Sequence, residues 1–143
     1  MEYRRFGEKV LVRIDRGEEL FQQLEEVAQR EGIQLASVQG LGAVDDFTVG
    51  VFRVDRKEFV ANRFQGAYEI VSLAGTIDRM DGKFYCHLHM SAGDAQGRVV
   101  GGHLKRAVVS ATCELVLSLV DGAVDRFFDP EVGLNLWRLQ GGL

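Results

Sequence analysis

The sequence predicts an α+β domain, a largely antiparallel, curled β-sheet with one main amphipathic helix packed against it. Short β-branched or alternating runs, punctuated by glycine and aspartate, recur along most of the chain. A single early window, residues 18–30, instead spaces its apolar residues as a helix does. Seventeen glycines in 143 residues suit the corners and bulges of a strongly curved sheet.

Lys9 to Ile14 reads as the first strand, closed by a turn at Asp15-Arg16-Gly17. Leu20, Leu24, Val27 and Ala28, with Phe21 beside them, then fall on one face of a helix from about Glu18 to Arg30. Glu18 and Glu19 favour its positive end and Arg30 its negative end, and Gly32 suits the left-handed position after it. Strands are expected over Leu35 to Gly40 and Phe47 to Arg53, around a turn or close-approach segment at Gly40-Leu41-Gly42-Ala43. A weaker strand from Lys57 to Phe64 is broken at Gly66, and a long one runs from Tyr68 to Ile77 with a bulge expected at Gly75. Asp81-Gly82 signals a hairpin, since both residues tolerate positive φ. Its return strand runs from Lys83 to about Met90. After a glycine-rich turn, Val99-Val100 and Val108-Val109 are short apolar runs. Ala111 to Val120 is a central strand with Cys113, Leu115, Leu117 and Leu119 on one face. A last strand near Leu134 to Leu139 follows the turn at Asp129-Pro130, with Trp137 burying a sheet edge.

The length fits one domain, residues 1–143, with a core large enough to need no staple. Two cysteines, Cys86 and Cys113, sit in apolar runs without the spacing of a disulfide framework, as buried reduced thiols do. No apolar stretch approaches the roughly 20 residues that span a bilayer, so a soluble, cytoplasmic chain with no membrane partner is expected. Twenty-one acids against seventeen bases leave a net charge of −4, the reverse of what nonspecific binding to a phosphate backbone favours. The glycine spacings lack the strand–loop–helix setting of a Walker or Rossmann motif, which removes nucleotide binding by those routes.

Chemistry concentrates in FYCHLHMSAGDAQGRVVGGHL, which holds all three histidines. On a strand His87 and His89 project to one side, roughly 6–7 Å apart at Cα, close enough for both imidazoles to reach one ion. Gly101-Gly102 lets the backbone pass near a neighbour, so that His103 can supply a third nitrogen from the next strand. Three histidines and an open position suit a divalent metal, zinc foremost, although imidazole also suits nickel, copper and iron. The alternative is three ordinary hydrogen-bonded histidines on a polar sheet face. Glu69 and Glu114 fall on strands where a buried carboxylate needs a partner. Either could orient an imidazole, ligate the metal or act as general base, or else pair with an arginine or the backbone. Asp94 reads as a turn residue and Cys86 as a core residue facing away from His87.

The ordered stretches RIDRGEE (13–19), SVQGLGAV (37–44), GAYEIVSLAGTI (66–77), residues 81–104 and ATCELVLSL (111–119) closely resemble the PPC domain, the plants and prokaryotes conserved domain. The resemblance spans about residues 8 to 139. It implies a compact sheet-and-helix domain assembling as a homotrimer through its sheets, with His87, His89 and His103 as the metal ligands. The fold it implies is similar to that of acetolactate decarboxylase, a zinc enzyme with histidine ligands. In plants the domain follows an AT-hook, Arg-Gly-Arg-Pro, in nuclear DNA-binding regulators. That segment does not occur in this sequence, whose one proline is Pro130.

Three functions therefore stand for comparison. One is a metal site in an oligomer that carries out a small-molecule lyase or hydrolase step or senses a ligand. A second is a DNA-binding or transcription-associated protein, whose footprint would be a basic groove of Arg98, Lys105 and Arg106. The third is a structural assembly domain in which a closed four-ligand shell braces the fold.

Overall fold

The computed structural model describes residues 1–139. Its elements run β1 (Glu2–Phe6), β2 (Lys9–Asp15), α1 (Leu20–Glu31), β3 (Ala36–Arg53), β4 (Glu58–Met80), β5 (Lys83–Gly93), β6 (Val99–Leu119), β7 (Asp125–Asp129) and β8 (Leu134–Arg138). The strands form one sheet in the order β1-β2-β6-β3-β4-β7-β8, and β5 pairs with both β4 and β6. All ladders are antiparallel except a short parallel one between β4 and β7. The α+β class with a curled, mostly antiparallel sheet is thus what the chain adopts.

Curling goes as far as a closed circuit. β3 pairs with β4, β4 with β5, β5 with β6, and β6 with β3 again. Three very long strands make this possible, because different halves of each can pair with different neighbours. The helix starts two residues later than its apolar spacing suggests. Glu19 caps it, its carboxylate accepting from the Gln22 backbone N–H at 3.0 Å, and Gly32 ends it at φ 63°. Its buried stripe of Leu20, Leu24, Val27 and Ala28 lies over β5 and β6. Each of the larger side chains contributes about 1.5–3 kcal/mol by leaving water.

Several sequence boundaries are replaced by longer elements. The segment Gly40–Ala43 is no turn: β3 passes through it with register shifts between Gly40 and Gly42 and between Val44 and Asp46. Close approach is what it needs glycine for, since a Cβ on Gly42 would stand 2.4 Å from the Thr112 carbonyl oxygen. Gly66 likewise ends no strand: it lies in the β3–β4 register shift opposite Val44 and Asp46, and residues 58–64 and 68–77 merge into β4. The bulge expected at Gly75 lies instead between Ile70 and Ser72. The runs at 99–100 and 108–109 and the strand expected over 111–120 are all parts of β6, which ends one residue earlier at Leu119. β1 and β7 were not apparent from the sequence. The Asp81-Gly82 hairpin forms as expected, with φ of 53° and 71°.

Candidate metal centre

Alternation along β5 sets the site. Leu88, Met90 and Ala92 are buried in the core, which turns His87 and His89 to the face away from the helix. His89 pairs directly with His103 across the β5–β6 ladder. One rung of the circuit runs through Ala61, Gly50, His103, His89 and Ala74. Every other member of the rung is alanine or glycine, so nothing bulky from that rung crowds the two imidazoles.

The three side chains meet. Ring centroids stand 5.2 Å apart for His87–His89, 4.9 Å for His87–His103 and 5.6 Å for His89–His103. One nitrogen from each lies within 4.8 Å of the others. Two nitrogens on a tetrahedral zinc at about 2.1 Å are separated by roughly 3.4 Å, a gap that small imidazole rotations close. The donor set therefore fits a divalent transition ion. Among the described residues no fourth His, Cys, Asp or Glu joins the group, and His89 is exposed while the other two are half-buried. The exposed His89 puts one flank of the group at the surface.

Burial, then Lys105 and the two neighbouring histidines, lowers the pKa of His103 to about 4. Burial and next Arg126 lower that of His87. Both imidazoles are therefore neutral near pH 7, the state in which they ligate metals.

The glycines beside His103 admit its walls. Gly102 takes φ 153°, and a Cβ there would meet the Gly50 carbonyl oxygen at 2.5 Å. A Cβ on Gly50 would in turn meet the Phe59 ring at 2.7 Å. Phe59 can therefore lean over Gly50 and contact His103 edge-on, with centroids 5.5 Å apart. Sequence reasoning did not single out Phe59, since nothing in a strand's local pattern says which ring will overhang a residue 44 positions away.

The remaining candidates lie elsewhere. Glu69 is exposed and pairs with Gly93, four residues and roughly 13 Å along β5 from His89. Glu114 is exposed and pairs with Arg13 and Leu41, in an open cleft of about 990 Å³ also lined by Leu11 and Val116. Neither carboxylate is buried, so the burial cost that drew notice to them does not arise. Asp94 shapes its turn by accepting from the backbone of Gln96 and Arg98. Cys86 stays outside the histidine group, its thiol pushed up above its ordinary pKa by burial. Of the three cations that a basic groove would use, Arg98 pairs with Asp94 at 2.9 Å and Arg106 with Asp46 at 2.7 Å. Lys105 makes no ion pair among the described residues and lies over the Phe59 ring at 4.7 Å.

Residues 1–121 match the Plants and Prokaryotes Conserved (PCC) domain. A metal-containing protein from Archaeoglobus fulgidus is 37% identical, with 96% of each chain covered and a TM-score of 0.85. A structure from Bacteroides thetaiotaomicron, described as a candidate DNA-binding protein, is 28% identical over 98% of both chains with a TM-score of 0.94. The bifunctional protein GlmU of Synechococcus sp. (strain JA-3-3Ab) is 32% identical over 104 residues, which are 71% of this chain and 16% of that protein.

Proposed function

We propose, for a chain that belongs to the Plants and Prokaryotes Conserved domain family, that His87, His89 and His103 hold one divalent transition metal, zinc foremost, at a solvent-open small-molecule site. The observation that carries this reading is the convergence of three imidazoles from two strands, with no fourth His, Cys, Asp or Glu joining them among the described residues. The metal-containing Archaeoglobus relative supports it. An ion held this way supplies Lewis acidity toward a carbonyl or carboxylate oxygen, or toward water. That chemistry suits a lyase or hydrolase step and equally the sensing of a ligand. A purely structural metal favours a closed shell, which a three-histidine group with His89 exposed does not resemble.

The chain works in this reading as a homotrimer built through its sheets. Exposed Leu11, Leu41 and Val116 around the cleft beside Glu114 are the apolar surface such an assembly would cover. Glu69 and Glu114 stand too far along their strands to reach an ion in their own chain, so a general-base role for either requires the ion of a neighbouring copy. The DNA-binding alternative draws on the Bacteroides relative's description. Against it, two of its three expected cations are committed to carboxylates.

Metal analysis of gently purified protein, beside the His87→Ala/His89→Ala double variant, tests the centre. About one equivalent per chain in the native protein, lost in a folded variant, is expected. A native protein that holds no metal and acquires none from added zinc would refute the reading.

A further inference from the structure

The side of the histidine cluster bounded by β6 and the start of β4 carries features that three ligands alone do not require. Along the β3–β6 ladder Val49 pairs with Leu104 and Thr48 with Arg106. Lys105 is therefore the extra residue of a β-bulge, two positions from His103. Bulges re-aim a side chain and are common beside functional sites. Here the bulge brings the Lys105 ammonium to 4.7 Å from the centre of the Phe59 ring. The same ring stands edge-on to His103 at 5.5 Å. Phe59 reaches that position because Gly50, where a Cβ would stand 2.7 Å from the ring, leaves room. One aromatic ring thus contacts both the His103 imidazole and the Lys105 ammonium. Neighbouring Arg106 is paired with Asp46, a carboxylate it shares with Arg63, while Lys105 has no carboxylate partner among the described residues.

An ammonium with no carboxylate partner among the described residues, set over an apolar ring beside three imidazoles of which His89 is exposed, selects for charge and shape together. A neutral ligand would gain nothing from Lys105, and a cation would be repelled by it. A bulky anion such as a nucleic acid backbone would need several such cations in a row. We propose that Lys105 and Phe59 form a subsite for a small organic carboxylate, its anionic group between Lys105 and the metal position and its apolar part against Phe59. Lys105 is a binding residue in this scheme. The inference rests on the metal reading above and narrows it to one substrate class.

The test uses the full chain loaded with cobalt in place of zinc, so that ligand arrival is read from the visible absorption of the ion rather than from turnover. Metal content is measured first for the native protein, Lys105→Gln and Lys105→Arg. All three should bind about one equivalent, since position 105 is exposed and is not a ligand. Each is then titrated with isobutyrate and with isobutyramide, its neutral counterpart of the same shape. Isobutyrate should change the spectrum saturably in the native protein. Lys105→Gln should weaken it roughly fivefold or more, in keeping with the loss of one charge-assisted contact, and Lys105→Arg should restore it. The amide should bind no better to the native protein than to Lys105→Gln. Equal isobutyrate affinity in the native protein and Lys105→Gln, or no saturable response in the loaded native protein, overturns the subsite. Failure to take up any metal overturns the metal reading itself, and is seen before a ligand is added.

Discussion

His103 shows how one side chain couples the site to the stability of the fold. Its imidazole is half-buried beside Lys105 and two further histidines, and its pKa falls from the ordinary 6.5 to about 4. Between those values the unfolded chain binds a proton that the folded chain does not. Stability contributed by this residue is complete above pH 6.5 and is lost as pH falls toward 4. Chelator-treated protein should therefore lose stability across that window, and His103→Asn should lose less. Urea titrations at pH 7, 5.5 and 4.5 measure it, and parallel losses in the two proteins would show that His103 titrates normally. The site was legible at this scale in part. The His-x-His spacing alone put His87 and His89 on one strand face, because alternation is a property of the backbone. Phe59 was not legible, since its role depends on which strand lies beside it.

Among the elements, the C-terminal hairpin of β7 and β8 is the one whose attachment most needs explaining. It begins at Asp125, beyond the residues that match the family domain, and its ladder to β4 is only two residue pairs long. A buried ion pair does the fastening. Arg126, 7% exposed, grips Asp78, 0% exposed, through two bonds of 2.7 Å. The Trp137 indole donates to the same carboxylate at 2.7 Å and the Thr76 hydroxyl at 3.0 Å. Arg126 also donates to the Asn135 carbonyl at 2.9 Å and lies over the Tyr85 ring at 4.7 Å. With its hydrogen bonds so complete, the pair costs little to keep but much to break. Arg126→Ala, which strands the Asp78 charge, should destabilise the protein by about 3–5 kcal/mol. Chemical denaturation checks this, and a loss below about 1 kcal/mol would mean that water reaches Asp78. Thr76 pairs with His87 across the β4–β5 ladder, so the hairpin's anchor also backs the strand that carries the site.

At the scale of the whole molecule, the closed β3-β4-β5-β6 circuit turns the histidines outward on one side and leaves an apolar cleft elsewhere on the sheet. Leu41 is 58% exposed there, with Leu11 and Val116 lining the same cleft. If this is the face the homotrimer covers, Leu41→Glu should shift the native protein toward monomers without altering its secondary structure. Sedimentation equilibrium on both proteins measures that shift. A native protein already monomeric at micromolar concentration would end the assembly reading.

What the sequence determined by itself was whatever short-range chemistry dictates. That covers the helix stripe at Leu20, Leu24 and Val27, the positive-φ hairpin at Asp81-Gly82, the placing of His87 and His89 on one side of a strand, and the α+β class these patterns add up to. Only the tertiary structure decided what the glycines at 40, 42 and 66 do. A glycine permits a bend, but the hydrogen bonds of the strands on either side determine whether the chain turns there or continues through a bulge. The same holds for contacts between distant residues. Asp78 and Arg126 are 48 positions apart, and Lys105 meets Phe59 only because β4 and β6 both flank β3. Local propensity sets the conformation of each segment, whereas the closure of the sheet sets which segments become neighbours.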